Sequence, residues 1–440
     1  MVMSRKVVSY IQAWTSVLLV LLNLGNAKAS QRGTGNEGST LFFISIALTL
    51  MTIMARNKKK IIRAVTVSNS IDFFKEVMLK MNKDGYDTIV VTSPGEFLDK
   101  FRVEYPDIKT IEVTMARHID IAKDLSALLK LIWFLGKERP YIVHSMTPKA
   151  GLLCMLAAWI TRVPYRIHTF TGLIWPTAVG LKRKILITTD KILCACATHI
   201  IPEGQGVLND LKNFGVCKKE MRVLGFGNVM GIDLKRFDPC RFEKKANNGF
   251  TFLFIGRIAK DKGVNELTEA FVRLHKKYDA TTLILIGRNE KGLDPISSAT
   301  ETKIDNNPAI HYCGTKFNDE LVAQYADADC FVMPSYREGF PNTVLEAGAM
   351  GLPQIVTDIN GSREIISDVI NEENEIQVCR NGIIVPPRDS ERLYQAMEMM
   401  ITNKDMRDFM SKNAREMIAS RFDKDFVQLC QIDYYKEILR

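Results

Sequence analysis

Ser335-Tyr336-Arg337-Glu338-Gly339-Phe340-Pro341-Asn342-Thr343-Val344-Leu345-Glu346 is the stretch around which the chain is organised. The apolar run before it, Cys330-Phe331-Val332-Met333, has the character of a buried strand. Thr343 to Met350 after it has the spacing of a small-residue helix closed by Gly351, with Asn342 as its cap and Pro341 marking the break. Two carboxylates, Glu338 and Glu346, therefore fall on one strand–loop–helix junction, one in the loop and one a turn into the helix. The free N–H groups of a helix start attract phosphate. A carboxylate above that point suits a sugar hydroxyl, and one below it suits a ribose. Two glutamates at this spacing are ordinarily a solvated loop and a solvated helix face. Gly339-Phe340-Pro341 and the small-residue helix argue for the junction.

At 440 residues the chain is long enough for two domains with full cores, and 46% hydrophobic with 25% charged residues is an ordinary globular balance. The formal net charge of +9 suits an anionic partner: nucleic acid, an anionic membrane or a phosphorylated substrate. No arginine-rich tract, zinc-finger spacing or RNA-binding aromatic motif is present, which sets nucleic acid aside. Nine scattered cysteines, an odd count, argue against a disulfide framework, and Cys194-x-Cys196 lacks zinc-site spacing. A reduced, cytoplasmic catalytic body follows.

Residues 1–60 are foreign in composition. Val7–Leu24 is mostly apolar behind Arg5 and Lys6, and Leu41–Met54 is a second apolar run ending in Arg56-Asn57-Lys58-Lys59-Lys60. Three readings compete: a transmembrane hairpin with both basic flanks inside, a signal peptide cut after Ala27-Lys28-Ala29, and a natural start at Met54.

From Ile61 strands and helices alternate. Strand runs are Ile61–Ser68, Thr88–Thr92, Tyr141–Ser145 and Tyr165–Phe170; helical runs are Ile71–Met81, Ala122–Gly136, Ala150–Ile160 and a stretch reaching Ala197. The alternation predicts an α/β fold with parallel sheets covered on both faces. Ligands bind such sheets at the loops after the strands' carboxyl ends. Here those loops carry Ser68-Asn69-Ser70, His144 to Lys149, and His168 to Leu173, which predicts an acceptor cleft on that rim. Lys182-Arg183-Lys184, with Lys149 and Arg166, makes a basic face suited to anionic lipid. Asp238 to Gly249 reads as a linker. Phe250–Ile255 is then a strand running into Gly256-Arg257-Ile258-Ala259-Lys260-Asp261-Lys262-Gly263, where Arg257 and Lys262 flank a turn and can neutralise a diphosphate. Thr282–Ile286 and Pro353–Thr357 are further strands, Gly382–Val385 before Pro386-Pro387 closes the sheet, and 389–440 is helical. Asp327-Ala328-Asp329 has the form of a metal-binding acidic pair, but its place between a helix and a strand makes it a turn cap.

Glu338-x7-Glu346 within Pro334–Pro341 resembles the signature of family 4 retaining glycosyltransferases. These have the GT-B fold, two Rossmann-like parallel-sheet domains facing a cleft. The resemblance runs from about Arg63 to the C-terminus and is most specific over 252–364. It implies a hydrophobic N-terminal extension at 1–60, an acceptor-binding domain at 61–237, a nucleotide-sugar domain at 238–421 and a terminal helix at 422–440 that returns to the first domain. Gly-Arg-x4-Lys-Gly is similar to the family's diphosphate clamp. The implied catalytic residues are Glu338, Arg257, Lys262, Thr171 and His168. The family's usual histidine is replaced by Thr171, and His168 is the nearest alternative. The family's early glycine pair is replaced by Ser68-Asn69-Ser70. The implied donor site holds Glu346, Gly256, Gly339, Phe340, Pro341, Asn342, Thr343, Gly314 and Thr315, and the acceptor site holds His144, Pro148, Lys149 and Arg117. Neither metal nor cofactor is implied.

The first-domain segments look most like bacterial enzymes of capsule, O-antigen and exopolysaccharide assembly. That implies a nucleotide-sugar donor, a polyprenyl-diphosphate-linked glycan acceptor, anionic inner-membrane lipid as a partner, and a place at the cytoplasmic face of the inner membrane, peripheral or anchored by residues 7–54. Two alternatives stand beside transfer: a GT-B enzyme of the nucleotide-sugar 2-epimerase kind, and a non-catalytic, membrane-tethered nucleotide-sugar-binding subunit.

Overall fold

A computed structural model of the chain describes residues 59–116, 120–243, 249–292 and 294–439. The apolar runs at 7–54, with their three readings, and Arg117 lie outside the described residues.

The first half alternates as its apolar runs require. β1 (Lys60–Ala64) leads through a 3-10 turn at Ser68–Phe73 to α1 (Lys75–Lys83), β2 (Asp87–Thr92), α2 (Glu96–Glu104) and β3 (Lys109–Glu112). α3 (Ile121–Glu138) crosses to β4 (Ile142–Met146), followed by α4 (Pro148–Ile160), β5 (Tyr165–Phe170), α5 (Gly180–Cys196), β6 (His199–Pro202) and α6 (Gln205–Asn213). The six strands are parallel in the order β3-β2-β1-β4-β5-β6. β1 and β4 are buried almost throughout, as continuous apolar runs in a doubly covered sheet must be. α3, α4 and α5 contribute Leu131, Met155 and Leu193 to the core on one face. On the other face lie Ile61, Val77 and Met81.

The second half repeats the plan. β7 (Phe250–Ile255), α7 (Val264–Lys277), β8 (Thr281–Ile286), α8 (Ser298–Asn306), β9 (Ile310–Tyr312), α9 (Asn318–Asp327) and β10 (Cys330–Met333) precede α10 (Asn342–Ala349), β11 (Gln354–Thr357) and α11 (Ser362–Ile365). A hairpin of β12 (Val369–Glu373) and β13 (Ile376–Cys379) then leads to β14 (Gly382–Val385). The order is β12-β13-β14-β11-β10-β7-β8-β9, parallel from β14 to β9. α12 (Ser390–Thr402), α13 (Lys404–Phe422) and α14 (Lys424–Ile438) complete the chain. α14 leaves the second half and packs Ile432 and Tyr435 against Ile61 and Met81 of the first.

Each sheet therefore has a topological switch point, between β1 and β4 and between β7 and β10, where loops diverge and ligands bind. The alternation predicted parallel sheets covered on both faces, and the resemblance implied two Rossmann-like domains; both are found. Some local readings need correction. The strand from Ile61 stops at Ala64, and the following helix starts only at Lys75, because the 3-10 turn takes up Ser68–Phe73. β14 does not close the second sheet; the antiparallel hairpin extends it, and the fully exposed Val369–Glu373 strand carries no apolar run to announce it. Asn342 is not the helix cap. Pro341 holds that position, and the Asn342 side chain instead accepts a bond from Asn228 of the first half at 2.9 Å.

Candidate active site

The loop after β7 and the loop after β10 meet. Lys262 Nζ donates to Glu338 Oε1 at 2.5 Å, joining residues 76 positions apart. Arg257 stands beside them, its guanidinium 3.1 Å from Asp261, and Asp261 also accepts from Arg337 at 3.3 Å. Gly263 makes this meeting possible: it adopts φ +71°, and a Cβ there would lie 2.0 Å from the Pro334 carbonyl oxygen. No larger residue fits. The wall opposite belongs to the first half. Pro148, Thr171, Gly172 and Leu173 line a cavity of about 270 Å³ together with Arg257, Lys262 and Glu338. The two halves touch backbone to backbone here, since a Cβ on Gly339 would sit 2.3 Å from the Thr171 carbonyl oxygen.

α10 starts three residues past Gly339, with Asn342 and Thr343 in its first turn. One turn further on, Glu346 accepts from the Tyr325 hydroxyl at 2.7 Å and lines a second cavity of about 290 Å³ with Arg236, Asn342 and Phe74. Burial pushes its carboxyl up to about 7, against the pull of Tyr325 and Arg236. The Phe340 ring is buried against Phe422, and Pro341 is also buried, so the backbone is what these two residues offer a ligand. Gly256 bends the chain after β7. Gly314, at φ +64°, accepts from the Gly287 amide at 2.8 Å and carries exposed Thr315 past the end of β9.

Three expected residues, His168, His144 and Lys149, lie elsewhere. His168 is 1% exposed, faces α4 and α5, bonds Ser145 Oγ at 2.9 Å and is pushed down to about 3 by burial. Thr171 lines the cavity and His168 does not. His144 is also buried, bonded to Thr169 at 2.7 Å and to the Tyr435 hydroxyl at 2.6 Å. Strand alternation sends His144 to one face of the sheet and His168 to the other, both away from the rim. Lys149 turns to Asp124 of α3 at 2.5 Å, leaving Pro148 at the cavity. Of the basic trio after Thr177, Arg183 stacks over Phe214 at 5.3 Å, while Lys182 and Lys184 are exposed.

Asp329 Oδ2 accepts from the Thr251 amide at 2.8 Å, at the end of β10 opposite to the cavity. It pins two strands together. Among the described residues no three of His, Cys, Asp and Glu gather as a metal site.

Sequence reasoning missed Glu203 and Glu364. Glu364 of α11 accepts from the Gln205 and Gly206 amides at 2.5 and 2.9 Å, capping α6 across the interface. Glu203, just before that helix, is buried, and burial with the charges of Glu364 and Glu338 pushes its carboxyl up to about 8. Only the meeting of the two halves makes either group notable.

Residues 239–417 match the model for glycosyl transferases group 1, and residues 73–227 match the glycosyl transferase 4-like domain. The capsular polysaccharide biosynthesis glycosyltransferase CapM of Staphylococcus aureus is 32% identical over 84% of this chain and 94% of its own length. A UDP-Gal:alpha-D-GlcNAc-diphosphoundecaprenol alpha-1,3-galactosyltransferase of Escherichia coli is 26% identical over 70% of this chain and 79% of its own. A solved glycosyltransferase from Rickettsia africae has the same fold, with TM-score 0.67, 20% identity, and coverage of 87% of this chain and 99% of that one. The chain belongs to the family 4 glycosyltransferases of GT-B fold.

Proposed function

We propose that this glycosyltransferase moves a sugar, with retention and without a metal, from a nucleoside-diphosphate sugar to a polyprenyl-diphosphate-linked saccharide. Its setting is surface-polysaccharide assembly at the cytoplasmic face of the bacterial inner membrane. The carrying observation is the cavity in which Arg257, Lys262 and Glu338 of one half face Thr171 and Gly172 of the other. The capsule role printed for one relative and the diphosphoundecaprenol acceptor printed for another support the setting.

Cleavage of the anomeric C–O bond places negative charge on the leaving diphosphate and positive character on the anomeric carbon. Arg257 and Lys262 meet the first charge, aided by the N-terminus of α10. Glu338, held by Lys262, accepts bonds from sugar hydroxyls and orients the ring. Glu346, a turn below the phosphate end of α10, holds the ribose hydroxyls. The departing phosphate oxygen takes the acceptor's proton on the face it leaves, which preserves the anomeric configuration. Thr171 and Gly172 form the opposite wall, where the acceptor enters past Pro148.

The test incubates the full chain with radiolabelled UDP- and GDP-sugars, with and without a polyprenyl-diphosphate sugar, in EDTA. The expected outcome is label in the lipid fraction for one donor, with Arg257→Ala slowed by about 10²–10³-fold. If every label stays on the nucleotide while one donor still binds, transfer fails as a reading. Activity only with added divalent cation removes metal independence, and an inverted product linkage by NMR removes retention.

A further inference from the structure

α3 is apolar on two faces. Its inner face sends Ala127, Leu131, Phe134 and Leu135 into the first core. Its outer face carries Ile121, Leu125, Leu129 and Trp133, which are 81, 55, 59 and 66% exposed. These four recur at every fourth residue and so form one continuous stripe along the helix. From Ile121 to Trp133 the stripe runs about 18 Å along the helix. Single exposed apolar residues need no explanation, but a continuous stripe marks a docking surface.

The charges beside the stripe say what docks. Lys123, Lys130 and Lys137 recur at every seventh residue and follow one flank of it. The Lys137 ammonium lies 5.2 Å from the Trp133 ring centre, an aromatic body with a cationic tip beside it. The acids of the helix are occupied inward or locally: Asp124 by Lys149, Glu138 by Lys60 and Lys109, and the cap Asp120 by Lys123. The Asp120–Lys123 pair cancels, so what faces outward is apolar with the net positive charge of Lys130 and Lys137 beside it. α3, α4 and α5 lie on the same face of the sheet, and as crossover helices they run against the strands, so their N-termini sit at the cavity end. The start of α5 adds Val179 and Leu181, 82 and 73% exposed, around Lys182 and Lys184.

We propose that α3 lies flat on an anionic lipid bilayer, with its outer stripe at the headgroup–acyl boundary and its lysines among acidic headgroups. The N-termini of α3 and α5 then set the mouth of the cleft against the lipid surface. The choice of lipid as occupant rests on the lipid-linked acceptor proposed above; the stripe and its flanking charge are independent of it.

The test uses the full chain and vesicles of phosphatidylcholine with and without phosphatidylglycerol, some with brominated acyl chains. To separate the stripe from any contribution of the apolar runs at 7–54, the readout is the Trp133 component of the emission, taken as the difference between the parent and Trp133→Phe. The expected results are quenching of that component by brominated lipid, strongest with phosphatidylglycerol. The double variant Leu125→Glu, Leu129→Glu abolishes it and weakens stripe-dependent vesicle binding by about 100-fold, while a water-soluble acceptor analogue is still glycosylated. Unquenched Trp133 on vesicle-bound protein overturns the proposal. So does self-association without lipid that the double variant removes, which would assign the stripe to a second copy. Quenching as expected with no transfer to any acceptor leaves the docking surface standing and removes the transferase reading.

Discussion

Glu203 shows how a single residue takes its character from distant neighbours. Its carboxyl is held near 8 by burial and by Glu364 and Glu338, whereas in the unfolded chain it titrates in the ordinary carboxylate range. The fold therefore keeps a proton that the unfolded chain releases between about pH 4.5 and 8, and stability from this group falls as pH rises through that window. Glu346, pushed up to about 7, acts in the same direction. Glu203→Gln removes the Glu203 share. The melting temperature of the variant is expected to match the parent near pH 5 and to exceed it increasingly toward pH 8. Parallel curves of melting temperature against pH would show that Glu203 ionises normally. Nothing near Glu203 in the sequence announces this, because Glu338 lies over a hundred residues away.

Among the elements, α14 is the one whose role depends most on a few polar contacts. Arg63 is fully buried on β1, and its guanidinium donates to the Tyr435 hydroxyl at 2.6 Å and lies 4.6 Å from the Phe74 ring centre. Burial, and the charge of Arg63, hold His144 well below its usual pKa, so the ring is neutral. Its Nδ1 is hydrogen-bonded to the Tyr435 hydroxyl and its Nε2 to the Thr169 hydroxyl. One hydroxyl thus ties the last helix to β1 and β4, and His144 carries the link on to Thr169 of β5. Tyr435→Phe leaves a buried cation and a ring nitrogen without that partner, at a cost of about 1–3 kcal/mol. The expected signs are a lower melting temperature and faster amide exchange in α14. Unchanged exchange there would mean that apolar packing alone holds the helix. The sequence indicates a helix of the right length to return to the first half. It does not indicate that Arg63, His144 and Tyr435, all plausible site residues by type, join in a structural relay.

At the scale of the whole molecule, the halves are drawn together by polar contacts across a narrow seam. Glu364 caps α6, Asn360 donates to Asp210 at 2.7 Å, and Asn228 donates to Asn342. Gly172 and Gly339 allow the backbones to close. Glu364→Ala removes two charge-assisted bonds and leaves the N-terminus of α6 uncapped. The variant is expected to show a larger radius of gyration in small-angle scattering and about a 10-fold loss in kcat/KM, with each half's secondary structure intact. An unchanged radius together with unchanged kcat/KM would show that closure does not depend on this cap.

The sequence by itself determined the alternation of strands and helices, the two-sheet architecture, and the loops that carry Arg257, Lys262, Glu338 and Glu346. These are short-range properties: apolar runs of strand length, a glycine where the backbone must turn, a helix start beside cations. Tertiary structure alone decided which candidates face the cavity. His144 and His168 sit on neighbouring strands with opposite parity, and each is taken inside by a partner more than twenty residues away. Thr171, past the strand end, is left at the rim. Tertiary structure also decided which face of α3 is covered, because periodicity shows an apolar helix but not the side on which the sheet will lie. Burial and charge in the cleft arise from groups brought together across the whole chain, and that information becomes physical only when the sheets pack.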